Sequence, residues 1–117
     1  MSIVLKRIYE EEKPLGGHRV LIDRVWPRGI SKENANLDEW MKDIAPSSSL
    51  RKWFSHDPDK FESFKEAYIK EINESSNAMS KLNELKNIAI DRRVVLLYGA
   101  KDTVHNHAVV LKEMIEK

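Results

Sequence analysis

Cysteine is absent from this 117-residue chain, which excludes disulfides, thiolate zinc sites and a cysteine nucleophile. Long hydrophobic runs are also missing. The strongly apolar stretches are short, such as Val94 to Ala100, far below the ~20 residues that span a bilayer. The N-terminus, MSIVLKRIYEEE, lacks the apolar core and small-residue cleavage site of a signal peptide. The default expectation is therefore a cytoplasmic protein with no membrane partner. A charge of one sign is lacking too: Lys plus Arg number 20 against 19 for Asp plus Glu, a net charge of +1. That balance argues against a dedicated nucleic-acid coat and leaves room only for a local basic patch.

What is present fits a folded domain. Hydrophobic residues make up 41% and charged residues 33% of the chain, a globular mixture rather than a disordered one. The length suits a single domain over residues 1–117, burying roughly two-thirds of its unfolded surface. No internal repeat, low-complexity tract or linker interrupts it.

Ile3 to Tyr9 reads as a strand, with Ile3, Leu5 and Arg7 on one face. A turn region with Lys13, Pro14, Gly16 and Gly17 follows, and His18 to Val25 reads as a second strand. Trp26 to Asn36 contains Pro27 and Gly29 and reads as loop. Asn36 and Glu39 have the spacing of a capping box, which predicts a short helix through Leu37, Trp40, Met41 and Ile44. Ser48 to Phe54 predicts one or two helical turns, and Asp57 before Pro58 predicts a helix start. Phe61, Phe64, Tyr68 and Ile72 recur at helical steps, as do Ala78, Leu82, Leu85 and Ala89. Val94 to Tyr98 is apolar throughout and predicts a central strand; a last helix is expected over His105 to Glu116.

A helical crossover between the second and third strands makes them parallel. The first strand reaches the second through a link too short for a helix, which leaves its direction open. The fold class is α/β: a small, mostly parallel sheet of about three strands flanked by helices.

In open parallel sheets, ligands sit beyond the carboxyl ends of the strands. Two such ends stand out, Asp23 to Gly29 and Tyr98 to Asp102, and parallel strands bring both to one crevice. Arg24, Arg28 and Lys101 supply positive charge there, Arg offering a bidentate fork for phosphate or carboxylate. The first turn of the last helix, with His105, Asn106 and His107, adds free N–H groups and a dipole. Asp23, Lys101, Asp102 and His107 are the candidate catalytic residues, the two carboxylates and the histidine as acid or base. Arg24, Trp26, Arg28, Arg51, Tyr98 and Asn106 are the candidate ligand-binding residues.

Each has a plainer reading. Asp23 and Arg24 can pair or cap, Asp102 can cap the last helix, and the three tryptophans suit packing better than stacking. His18 suits a turn and His56 a helix entry. His105 and His107 are two apart, not on one helical face, so no metal site is predicted. Ser47, Ser48 and Ser49 lack a nucleophile elbow, and no Gly-rich phosphate loop is present. Arg24, Trp26 and Arg28, like Arg51, Lys52 and Trp53, interleave cations with aromatics as single-strand nucleic-acid binders do.

Four segments carry a family resemblance: IDRVWPRG at Ile22 to Gly29, WMKDIAPS at Trp40 to Ser47, LRKWFSHDP at Leu50 to Pro58, and LLYGAKD followed by NHA between Leu96 and Leu111. In order and spacing they resemble the short, YeaO-like branch of domain-of-unknown-function family 488, over nearly the whole chain. The resemblance implies an α/β fold with a small sheet and implies no particular activity. A transcriptional-regulator label carried by some members finds no DNA-reading helix pair here. Longer relatives carry C-x-E-K-D followed by C-H-R. Lys101, Asp102 and His107 match that pattern, whereas Tyr98, Asn106 and Ala108 replace the cysteines and the arginine, so thiol chemistry cannot operate in this chain.

The sequence thus predicts an anion-accepting crevice, compatible with an enzyme acting on a small phosphorylated or carboxylated substrate. The alternatives are a nucleic-acid-binding module and a non-catalytic protein-interaction domain. No cofactor is named by any motif.

Overall fold

The computed structural model describes residues 2–11 and 13–117. Four strands, β1 (Ile3–Arg7), β2 (His18–Leu21), β3 (Glu39–Trp40) and β4 (Val94–Tyr98), form one sheet in the order β1-β4-β2-β3. Every pairing is parallel. The direction that the sequence left open is therefore settled: β1 runs alongside β4, with Ile3 opposite Val94 and Arg7 opposite Tyr98. β4 lies inside the sheet and is buried at all five positions, as its unbroken apolar run predicts.

Alternation along the strands divides the core between two faces. Val20, Ile22, Val94, Leu96 and Tyr98 point to the larger cluster, while Leu21, Val95 and Leu97 point to the smaller one. The large face is covered by α2 (Ser48–Phe54), α3 (Phe61–Glu74), α4 (Ser76–Asp91) and α5 (His107–Glu116). Their apolar stripes, Phe64, Tyr68 and Ile72 on α3 and Leu82, Leu85 and Ala89 on α4, are those the periodicity marks. α3 begins at Phe61 rather than Pro58, because Pro58–Lys60 forms a 3₁₀ turn capped by Asp57; α5 begins at His107 behind the cap Asn106.

The small face is covered by the β1–β2 and β2–β3 links, the second of which includes a short helix that buries Ala35. Ile8 and Leu15 from the β1–β2 link pack there, as do Trp26, Ile30 and Leu37 from the β2–β3 link. The buried Arg19 holds these links down. Its Nε donates to Asn36 O (2.8 Å), Nη1 to Glu11 Oε2 and Leu15 O (both 3.0 Å), and Nη2 to Glu11 Oε1 (2.7 Å) and Ala35 O (2.9 Å). Every guanidinium N–H thereby has an acceptor. Gly17 lets the link close: at φ +134°, an added Cβ would lie 2.6 Å from the Arg93 carbonyl oxygen.

The helix expected after Asn36 is not formed. Asn36, at φ 48°, ends a four-residue helix, α1 (Lys32–Ala35), which Ser31 caps. Asn tolerates this left-handed geometry, so it closes a helix here instead of opening one. Glu39–Trp40 then pairs with β2 as the fourth strand. Leu37 and Trp40 pack on the small face while Met41 and Ile44 enter the large one, a division that no single helical face could make.

Candidate functional site

Three parallel strand ends share one rim, so the two segments expected to face each other do so, and the end of β1 joins them. Asp23, just after β2, accepts a hydrogen bond at Oδ2 from Gly99 N, just after β4 (2.8 Å). Gly99 permits this approach, since a Cβ there would stand 3.1 Å from Asp23 Oδ2. From the first position of α5, His107 places Nε2 3.1 Å from Ile22 O and 3.0 Å from Asp23 Oδ1. A carbonyl only accepts, so the bond to Ile22 requires the proton on Nε2. Asp23 Oδ1 is buried and no donor is directed at it; its closeness to His107 is electrostatic rather than a formed hydrogen bond.

Asp102 turns inward on its own loop. Oδ1 accepts from Val104 N (2.8 Å) and His105 N (2.9 Å), and Oδ2 lies 3.0 Å from His105 Nδ1. The two backbone N–H bonds hold its carboxyl at about 2, below the ordinary 3.8. Asn106, 2% exposed, is the α5 cap: Oδ1 accepts from Val109 N (3.0 Å) and Nδ2 donates to Asp102 O (2.8 Å). Tyr98 is buried beneath this loop, and burial raises its phenol above the usual value.

The remaining candidates separate. Arg24 donates to Pro46 O (3.2 Å) and Ala45 O (3.1 Å), tying β2 to the turn before α2. Trp26 packs edge-on against Trp40 at 5.3 Å and donates to Ile30 O (2.7 Å), so its ring belongs to the small core. Arg28, Arg51 and Lys101 are exposed, their side chains with no hydrogen bond or ion pair among the described residues. The rim thus gathers Asp23, Asp102, His107, Tyr98, Asn106 and Lys101, and leaves Trp26, Arg28 and Arg51 outside that network.

Residues absent from the sequence-based set also line the rim. A cleft of about 720 Å³ opens beside β1 and β4, bounded by Arg7, Tyr9, His56 and the Gly99–Asp102 segment. Arg7 and Tyr9 were not legible as rim residues until β1 proved parallel to β4. His56 arrives through a turn in which Ser55 (φ 47°) and His56 (φ 56°) are both left-handed, a conformation with no sequence signature here. Among the described residues, no three His, Asp or Glu side chains converge as a metal site.

The geometry defines a small parallel α/β protein with a polar rim at the carboxyl ends of its strands. The comparisons carry this to a family. Residues 2–117 match the family model described as "Inactive DUF488-N3 subclade". The chain is 40% identical to the Escherichia coli (strain K12) protein named "Uncharacterized protein YeaO", over 98% of this chain and 97% of that one. It is 36% identical to "Uncharacterized protein Rv3073c" of Mycobacterium tuberculosis (strain H37Rv), over 93% of this chain and 89% of that one. No solved structure matches. The chain belongs to the DUF488 family, as its four motif segments imply, and its subclade is given by the family model. Among the described residues, no helix is long and apolar enough to cross a membrane.

Proposed function

We propose that this chain is a non-catalytic ligand-binding domain, in which the strand-end carboxylates and histidine build the rim instead of moving protons. The observation that carries this reading is that each group bonds the backbone, Asp23 to Gly99 N, Asp102 to Val104 N and His105 N, His107 to Ile22 O, while the one oxygen left without a donor, Asp23 Oδ1, is buried. A general acid or base needs a face free to reach a substrate proton. The description of the subclade as inactive agrees with this. The exposed charge left uncommitted at the rim, Lys101, is cationic, which favours an anionic ligand over acid–base chemistry.

Unfolding measurements separate the two readings. Asp23→Ala orphans the Gly99 N–H, and His107→Ala orphans the Ile22 carbonyl; each is expected to cost about 1–3 kcal/mol. The exposed Lys101→Ala should stay within about 0.5 kcal/mol of the parent chain. Asp23→Ala and His107→Ala variants as stable as the parent would sink the structural reading and return these residues to candidate catalysts.

A further inference from the structure

The sheet topology creates two places where the chain diverges to opposite faces, and only one of them is filled. After β4 the chain enters α5 on the large face, whereas after β1 and after β2 it crosses the small face. Such divergence opens a crevice beside a strand end. Between β4 and β2 that crevice is closed by the bonds Asp23–Gly99 and His107–Ile22. Between β4 and β1 one side-chain bond among the described residues, Arg7 Nε to Ala100 O (3.0 Å), crosses the floor, and the 720 Å³ cleft stands open beside it.

Among the described residues, the charged groups left uncommitted in that cleft are of one sign. Lys101 has no partner among the described residues. Arg7 uses Nε on Ala100, and its Nη1 lies 3.5 Å from Glu10 Oε1, at the limit of a hydrogen bond; Nη2 carries none among the described residues. The one carboxylate in the lining, Asp102, has both oxygens engaged within its own loop. Tyr9 is 43% exposed, with the Arg7 guanidinium 5.0 Å from its ring centroid, and His56 provides a second flat wall. Cationic donors without a free carboxylate, beside two exposed rings, select an acceptor-rich anion carried on a small organic body.

We propose that the cleft between β1 and β4 binds the oxyanion of a small organic phosphate or carboxylate, with Arg7 and Lys101 as donors and Tyr9 and His56 as walls. This rests on the reading of the chain as a ligand-binding domain and assigns its site and ligand class.

Amide NMR titration of the ¹⁵N-labelled full chain with inorganic phosphate, phenyl phosphate and benzoate tests it. Saturable shifts of Gly99, Ala100, Lys101 and Asp102 are expected with phenyl phosphate, benzoate or both. The tighter of the two identifies the oxyanion, and weaker binding of inorganic phosphate identifies a role for the organic body. Lys101→Ala, at an exposed position, should weaken that binding by about tenfold or more while leaving the spectrum folded. No saturable shift with any probe, equal affinity in Lys101→Ala, or shifts centred on Arg28 and Arg51 would overturn the proposal. The unfolding of Asp23→Ala and His107→Ala reads a different quantity, so failure of the site and failure of the structural reading remain distinguishable.

Discussion

Replacing Arg19 with methionine should unfold the small face first, and the size of the effect follows from its contacts. The guanidinium is 3% exposed and its partner Glu11 has a side chain 8% exposed, with the closest pair at 2.7 Å. Arg19→Met strips Glu11 of its counter-charge and leaves the carbonyls of Leu15, Ala35 and Asn36 without donors. Breaking a buried pair from one side costs about 3–5 kcal/mol. The β1–β2 link holds only a short 3₁₀ turn, Ile8–Glu10, among its described residues and can admit water, which limits the loss to about 4 kcal/mol, a large share of the ~5–15 kcal/mol that holds a domain together. At roughly 4 °C per kcal/mol for this size, Tm should fall by about 15 °C. Urea unfolding followed by circular dichroism measures it. Glu11→Leu combined with Arg19→Met should be milder than the sum of the single changes by at least about 1 kcal/mol, because no charge is left buried. An Arg19→Met variant within about 1 kcal/mol of the parent, or strictly additive single changes, would refute the clamp.

Three further outcomes follow from the same geometry. Tyr68, fully buried, donates to Ile44 O at 2.6 Å; Tyr68→Phe should cost about 1–2 kcal/mol in urea unfolding, through the orphaned carbonyl. Acid should destabilise the fold. Burial works against ionisation of Glu11, but the bonds from Arg19 and Leu15 N–H outweigh it and lower its carboxyl below 4.5, and Asp102 sits at about 2 against 3.8. Both depressed values contribute stability that is present above the ordinary carboxylate range and lost as pH falls toward 2. A pH series of Tm should therefore drop below about pH 4.5, and Asp102→Asn should flatten part of that drop. Finally, Gly17→Ala should destabilise markedly, since its Cβ would meet the Arg93 carbonyl, whereas Gly16→Ala, with open space around it, should be nearly neutral in the same assay.

Local and periodic information survives in the sequence, and what it covers is well defined. The stripes of Phe64, Tyr68 and Ile72 and of Leu82, Leu85 and Ala89 specify their helices because each turn repeats the same burial. The apolar run Val94–Tyr98 specifies an interior strand because both of its faces are covered. The crossover through α2, α3 and α4 made β2 and β4 parallel, and parallelism placed Asp23 opposite Gly99.

Where one residue type serves two geometries, pattern alone fails. Asn36 can open a helix or close one, and the choice was made by the pairing of Glu39–Trp40 with β2, a contact between segments distant in the chain. The direction of β1 likewise depended on β4, some ninety residues later, and with it the presence of Arg7 and Tyr9 on the rim. The sequence by itself determined the fold class, the core stripes and the polar character of the strand ends, because these are written in spacing and composition. Only the tertiary structure decided which polar groups are used up by the backbone and which cleft stays open, because hydrogen-bond partners are supplied by neighbours that no local pattern names.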